Sequence, residues 1–379
     1  MNIMVVPSWY SSSENKVHGS FFKEQFLALQ RSHENIIVAY NEIWPITRIL
    51  KNNGKRGINL EYEDGLKVYR YKDYNFLPKN PNMFRIFNKR MESLYKEIVK
   101  KEGKIDIIHA HSAFWGGISA CYVAKKYNIP FVLTEHSSMK DSIYVRESYK
   151  KWIYDTYNKC DRLIAVGNSL KKELQNYTKN EITVIHNMVD LNTFVPIDMK
   201  KDNKKINLFS LAYLVPGKGM DSLIIAFKNA FKGENVNLTI GGDGILKEHL
   251  QSMVKELNIE DQVKFLGALS REEVSKEMNL CDGFVLASEH ETFGMVYVEA
   301  MAVGKPILGT KNGGAEDIIK DYNGIIVENK NIVALEEGLK EFVHKIPYYN
   351  KDLIIRKVHE NYGEERIIKK IKMIYKEIV

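Results

Sequence analysis

Short apolar runs alternate with helical patterns along the whole chain, and this alternation restricts it to layered α/β folds with parallel strands. In the first half, strand-like runs lie at Asn2–Pro7, Ile36–Tyr40, Ile105–Ala110, Phe131–Thr134, Leu163–Val166 and Thr183–His186. In the second half they lie at Ile206–Leu211, Asn237–Gly241, Val263–Leu266, Gly283–Leu286 and Ile307–Gly309. Helical patterns intervene at Phe21–Gln30, Met83–Lys101, Ile118–Lys126, Met220–Ala230 and Ile245–Leu257. Two such sets predict two doubly wound domains, and in such domains ligands bind beyond the C-terminal strand ends.

The two sets part at Phe194–Lys205 (FVPIDMKKDNKK), a polar stretch carrying Pro196 between two strand patterns. The expected domains are therefore 1–195 and 196–363, followed by a terminal helix over 364–379. In a chain of 379 residues each has enough length for its own core.

Hydrophobic content of 44% with 27% charged residues is that of a soluble globular protein. No run of 18 apolar residues is present to form a membrane-spanning helix, and the N-terminus enters a strand pattern with no basic start and no signal-peptide core. Cys121, Cys160 and Cys281 are isolated, so neither a disulfide framework nor a structural zinc site is expected. These features point to the cytoplasm.

The net charge of +7 is concentrated in the first half, which favours an anionic partner, and no nucleic-acid recognition motif accompanies it. In 81–104, Met83, Phe84, Ile86 and Phe87 accompany Arg85, Lys89, Arg90, Lys96, Lys100 and Lys101. A basic amphipathic helix of this kind is expected to lie on the anionic inner face of the cell membrane, or else to turn its apolar side to the core.

The densest cluster of chemistry is Leu286–Glu316, LASEHETFGMVYVEAMAVGKPILGTKNGGAE. Glu291 and Glu299 are separated by seven residues, among them the small turn Thr292-Phe293-Gly294-Met295. A helix starting near Gly294 would present unpaired N–H groups and a positive dipole end to an anion. The two carboxylates would then lie roughly 10 Å apart along its axis, a span suited to the sugar and ribose ends of a nucleotide-diphosphate sugar. Lys218-Gly219 follows a strand and precedes a helix, where a lysine can reach a phosphate as a point charge. Gly241-Gly242-Asp243-Gly244 also follows a strand, but the third glycine of a dinucleotide fingerprint is replaced by Lys247. No histidine or carboxylate spacing suggests a catalytic metal.

Several segments together resemble the retaining glycosyltransferase family 4. They are Val5-Val6-Pro7-Ser8-Trp9-Tyr10, Gly19-Ser20-Phe21-Phe22-Lys23-Glu24-Gln25, Asp106-Ile107-Ile108-His109-Ala110-His111 and Thr134-Glu135-His136-Ser137. Val184–Asp190, Lys218-Gly219, Gly241–Gly244, Val263–Gly267 and Leu286–Glu316 continue the likeness, which runs from residue 2 to about 330. The Pro-Ser-Trp-Tyr opening is similar to a subgroup found in bacterial surface-polysaccharide assembly. The resemblance implies the GT-B fold, in which two Rossmann-like doubly wound domains face across a cleft and a C-terminal helix crosses back to the N-terminal domain. The first domain would bind the acceptor and the second the nucleotide-sugar donor.

It further implies roles for named residues. His136, Lys218 and Glu291 would be catalytic. Gly19, Tyr213, Lys218, Gly242, Gly267, Glu291, Thr292, Phe293, Gly294, Met295, Val296 and Glu299 would bind the donor, with Glu299 on the ribose. His109, His111 and His186 read as loop or core histidines. Where the family carries arginine shortly before the lysine, this chain has Ala212-Tyr213, and tyrosine supplies no positive charge at neutral pH.

The implied activity is retaining transfer of a hexose-type sugar from a UDP- or GDP-sugar to a lipid-linked or glycan acceptor, with no cofactor and no metal. Tyr213 motivates an alternative, a non-catalytic GT-B partner subunit of a glycosyltransferase complex. A nucleotide-sugar epimerase of the same fold is a third reading, against which the two-glutamate segment stands.

Overall fold

The computed structural model describes residues 1–11, 19–49, 54–140, 142, 144–199 and 205–379. The chain forms two compact units, Met1–His186 with Ile367–Val379, and Asn187–Arg366.

In the first unit the strands are β1 (Asn2–Pro7), β2 (Asn35–Pro45), β3 (Gly57–Glu63), β4 (Leu66–Asn75), β5 (Ile107–His111), β6 (Phe131–Glu135), β7 (Arg162–Ala165) and β8 (Ile182–Val184). Among the described residues they make one sheet in the order β3-β4-β2-β1-β5-β6-β7-β8. Pairing is parallel except between β3 and β4. The central strands read as continuous apolar runs because helices cover both faces; Ile3, Met4, Val5 and Val6 are fully buried. Chain order reverses between β1 and β5, so the loops after these two strands flank the switch point of this sheet.

The β3–β4 hairpin was not expected from the apolar runs, since β3 is half exposed along its length. Its turn is Asp64-Gly65, both with positive φ (50° and 87°), the Asp-Gly signature of a two-residue hairpin.

The second unit contains β9 (Ile206–Leu211), β10 (Val236–Gly241), β11 (Val263–Gly267), β12 (Gly283–Leu286), β13 (Ile307–Thr310) and β14 (Gly324–Val327). All pairs are parallel, in the order β11-β10-β9-β12-β13-β14. Numbered within the unit this is 3-2-1-4-5-6, the dinucleotide-fold order, with its switch point between β9 and β12.

The first unit ends at His186, nine residues before the expected boundary at 195. Packing explains the difference. Met188, Val189 and Phe194 are buried, the Val189 N–H donates to the Tyr362 carbonyl at 3.0 Å, and Ser275 Oγ donates to the Thr193 carbonyl at 2.7 Å. Phe194, expected to open a linker, is therefore core; residues 200–204 of that stretch lie outside the described residues. At the other end, the helix Glu364–Ile378 returns to the first unit as expected. It buries Ile367, Ile368, Ile371, Ile374 and Tyr375, and Lys372 pairs with Glu34 at 3.2 Å.

The helix Met83–Glu102 corrects part of the membrane expectation for 81–104. Met83, Phe84 and Phe87 face the core, and Arg90 is buried against Asp73 at 2.8 Å. Ile86 stays half-buried, and Arg85 and Lys89 are exposed. Among the described residues no helix is long and apolar enough to cross a membrane.

Candidate active site

Two loops meet at the switch point of the second unit. The loop after β9 runs to Lys218-Gly219 and the helix Met220–Phe231; the loop after β12 runs through Glu291 to Gly294 and the helix Met295–Ala302. They are knitted together by the Glu289 N–H, which donates to the Gly217 carbonyl at 2.9 Å. Each helix starts from a left-handed glycine, Gly219 (φ 62°) and Gly294 (φ 90°). A Cβ on Gly219 would overlap the Ala287 carbonyl, and one on Gly294 would sit 2.6 Å from the Tyr297 ring.

Across this junction Lys218 Nζ donates to Glu291 Oε1 at 2.7 Å. Both side chains keep some solvent access, 27% and 17%, so the pair is reachable by a ligand. Glu291 is fixed from behind: its N–H donates to the Asn312 carbonyl at 2.8 Å, and the Gly313 N–H donates to Glu316 Oε2 at 2.7 Å. Asn312 Nδ2 in turn donates to the Tyr297 hydroxyl at 3.2 Å. Buried polar groups thus hold the acidic turn in one shape.

Thr292, Met295 and Val296 are half-buried around the helix start. The side chain of Phe293 turns inward. It is 2% exposed and packs edge-on against Tyr362 at 5.8 Å, so only its backbone can face a ligand.

Glu299 lies one turn into the helix and is buried rather than on a solvated face. Arg271 Nη1 donates to its Oε1 at 3.0 Å, and the guanidinium lies 4.9 Å over the Phe194 ring. Burial pushes the Glu299 carboxyl above its usual range, with Arg271 opposing the shift.

Tyr213, Gly242 and Gly267 gather at the C-terminal ends of β9, β10 and β11. The Gly242 N–H donates to the Gly267 carbonyl at 2.7 Å, while Tyr213 is 64% exposed on the loop surface.

In the first unit Gly19 (φ 75°) precedes the helix Ser20–Arg31. Phe21 and Phe22 from its first turn pack on the His136 ring, at 5.5 and 4.9 Å between centroids. His136 follows β6 and is 7% exposed. Its Nε2 lies 3.0 Å from His111 Nδ1. His109 and His111, two apart on β5, share one face and are fully buried with stacked rings. His109 contacts the Tyr375 hydroxyl at 2.6 Å and Thr134 Oγ1 at 2.8 Å. Burial lowers His109 and His136 to about 3 and His111 well below its ordinary value, so all three are neutral near pH 7.

Glu135 anchors this corner. Its carboxylate accepts the N–H groups of Ala113, His136 and Ser137 at 2.9, 2.9 and 3.0 Å, and the Tyr157 hydroxyl at 2.9 Å. Just after His111, Ser112 (φ 63°) and Trp115 (φ 75°) hold left-handed backbone, strain of the kind stored at functional sites. Sequence reasoning gave no role to Glu135 or Arg271, and it read His111 as a loop or core histidine. The His-x-His spacing on a strand was the available signal for His111; nothing local marks Arg271. Among the described residues no group of three His, Cys, Asp or Glu side chains could hold a metal ion.

Comparison with known proteins agrees with this geometry. A family model described as glycosyl transferases group 1 matches residues 195–354, and one described as glycosyltransferase family 4 matches residues 53–193. An uncharacterized glycosyltransferase of Methanocaldococcus jannaschii is 33% identical over 295 residues, covering 75% of this chain and 78% of that one. A putative teichuronic acid biosynthesis glycosyltransferase of Bacillus subtilis is 24% identical over 363 residues, covering 91% and 90%. The crystal structure of Anabaena HepE in complex with UDP-glucose superposes with a TM-score of 0.72 over 100% of both chains at 16% identity, a likeness of fold.

Proposed function

The chain belongs to the GT-B glycosyltransferases, and from that premise we propose that it is a retaining hexosyltransferase using a UDP- or GDP-sugar donor. The acceptor is a lipid-linked or other glycan, in the synthesis of cell-surface polysaccharide or glycoconjugate. The teichuronic-acid relative supports the acceptor class, and UDP-glucose in the HepE complex supports the donor class. The second unit binds the donor and the first the acceptor. The reaction needs no cofactor and no metal, and it takes place in the cytoplasm, where the basic N-terminal unit meets the anionic inner membrane face through charge alone.

The observation that carries this reading is the Lys218–Glu291 pair at the switch point, beside the N-terminus of the helix Met295–Ala302. Breaking a sugar–phosphate bond develops positive charge on the sugar and negative charge on the departing diphosphate. Lys218 and the amides of 292–296 stabilise that negative charge by preorganised electrostatics. Phosphate binding at Lys218 frees Glu291 to accept a hydrogen bond from a sugar hydroxyl and so orient the ring. Glu299, held by Arg271, accepts from the ribose. Gly242 and Gly267 offer backbone to the nucleobase, and Tyr213 lends one hydroxyl near the diphosphate. Within the first unit, the amides near Gly19 and the His136 ring offer hydrogen-bond partners to phosphate and hydroxyl groups. Retention follows a front-face route in which the leaving phosphate takes the acceptor proton.

A thermal-shift panel of UDP, GDP, ADP, CDP and their sugar conjugates tests the donor. Selective stabilisation by UDP or GDP and its conjugates is expected, and NMR of the product with that donor is expected to give the donor's anomeric configuration. An inverted product overturns the retaining mechanism. No stabilisation by any nucleotide favours the second reading, a non-catalytic partner subunit, which the uncharged, exposed Tyr213 motivates.

A further inference from the structure

We infer that the first unit holds a site for a single-chain anionic amphiphile, in the groove where the helices Met83–Glu102, Ile118–Tyr127 and Glu147–Lys159 meet. Its tail lies between Ile118 and Trp152, its anionic head lies between Lys125 and Lys159, and a hydroxyl beside the head meets Asn88. The groove is a cavity of about 540 Å³, within the usual size of a small-ligand site.

The groove has a polarity. Strands β5, β6 and β7 are parallel, so the two helices that connect them run in the same direction. Along each helix the cavity wall changes from apolar to cationic. Ile118, Cys121 and Lys125 follow one another at helical spacing on one wall, and Trp152, Thr156 and Lys159 do so on the facing wall. Lys125 lies seven positions after Ile118, and Lys159 seven after Trp152, so the groove runs roughly 10 Å from its apolar end to its cationic end. Burial pushes the Cys121 thiol up to about 11, so it serves as apolar wall and not as a reactive group. Trp152 is half-buried and tilted against Phe84 at 5.5 Å.

Two observations specify the ligand further. Asn88 lines the cavity and is 7% exposed, and its Oδ1 has no hydrogen-bond partner among the described residues. An unpaired buried amide carries a desolvation cost, and a ligand hydroxyl, which both donates and accepts, can meet either end of it. Glu92, one turn further along the same helix, accepts from Lys126 at 3.0 Å, so Asn88 stands about one turn from the cationic end. The second observation is the charge of the lining, in which Lys125, Lys126 and Lys159 face the single carboxylate Asp155. Their present partners are exchangeable. Lys125–Asp161 at 3.2 Å and Lys159–Asp155 at 3.3 Å are exposed pairs of little worth, and Glu92 keeps Lys96 and Tyr127 when Lys126 turns to a ligand. Lysines in the last turns also complement the helix dipoles, but the dipoles explain neither the open volume nor the unpartnered amide.

Calorimetry on the full chain tests the site with decanoyl glycerol phosphate, decyl phosphate and decyltrimethylammonium, each below its micelle concentration. Decanoyl glycerol phosphate is expected to bind at one site, with decyl phosphate several-fold weaker for want of the hydroxyl and the ammonium weaker by about tenfold or more. Lys125→Gln combined with Lys159→Gln, both at exposed positions, is expected to weaken binding of the phosphates about tenfold. In Asn88→Leu the two phosphates are expected to bind alike. The inference is overturned by no binding of either phosphate, by equal binding of the ammonium, by unchanged affinity in the lysine double variant, or by a hydroxyl preference that survives Asn88→Leu. Sedimentation with phosphatidylglycerol vesicles without uptake of the free amphiphiles would make this face a membrane contact and overturns it as well. None of these residues takes part in the transfer reaction proposed above, so failure of the nucleotide panel and failure of amphiphile binding are separate results.

Discussion

Lys218 Nζ sits 2.7 Å from Glu291 Oε1, bridging the loops after β9 and β12. Each group neutralises the other until an anionic ligand takes the lysine, so the two are expected to divide their effects. Glu291→Ala is expected to lose about 10²–10³ in kcat with modest change in donor affinity. Lys218→Ala is expected to weaken nucleoside diphosphate binding about tenfold while barely changing that of the nucleoside. Calorimetry and steady-state kinetics with the identified substrates measure both. Near-normal turnover by Glu291→Ala would remove it from the site.

Gly294→Ala places a Cβ 2.6 Å from the Tyr297 ring on left-handed backbone. The substitution is expected to cost about 1–2 kcal/mol of stability and to tilt the N-terminus of the helix Met295–Ala302. A lowered Tm with weakened nucleotide binding is the expected result. An unchanged Tm would show that the turn relaxes freely.

Arg271→Met leaves the buried Glu299 carboxylate without its cation. It is expected to destabilise the second unit by about 3 kcal/mol near neutral pH, with Glu299→Gln in the same chain recovering part of the loss. The folded-state pKa of Glu299 is raised, so in the folded state it holds its proton to higher pH than when unfolded. Its contribution to stability is therefore greatest in acid and declines as pH rises through the folded value, and the arginine-free variant is expected to deepen that decline. Denaturant unfolding across pH 4 to 8, alone and in the double variant, checks it.

The histidine row carries the opposite sign. His109 and His136 are depressed to about 3 and His111 lies well below its usual value, so protons bind the unfolded chain first. Stability from these groups is complete above about pH 6.5 and falls as pH drops toward the folded values. Each histidine is expected to contribute up to about 1.4 kcal/mol per pH unit in that window. Unfolding free energies at pH 7 and pH 5 measure the combined slope. A flat response would mean that the row is not held neutral.

Tyr375→Phe removes the hydroxyl 2.6 Å from His109 Nδ1 while keeping the packed ring. A loss of about 1–2 kcal/mol is expected, because a buried imidazole nitrogen is left without its partner. Chemical denaturation followed by first-unit fluorescence measures it.

Much of the architecture was legible in the chain itself. Continuous apolar runs such as Ile3–Val6 and Gly283–Leu286 mark strands covered on both faces, and the glycines at 219 and 294 mark helix starts, because these signals depend on neighbours close in sequence. The half-exposed strand Gly57–Glu63 escaped, although Asp64-Gly65 announced its turn, because Ile58, Leu60 and Tyr62 alternate with polar residues and form no continuous apolar run. The site was legible only as a roster. That Lys218 meets Glu291, that Arg271 neutralises Glu299, and that His111 engages His136 are contacts across 73, 28 and 25 residues. Such contacts depend on strand order and helix placement. Local pattern determined which elements form and where chemistry can sit; the parallel crossovers of each sheet decided which side chains share a hydrogen bond, because they bring together strand ends that sequence spacing leaves far apart.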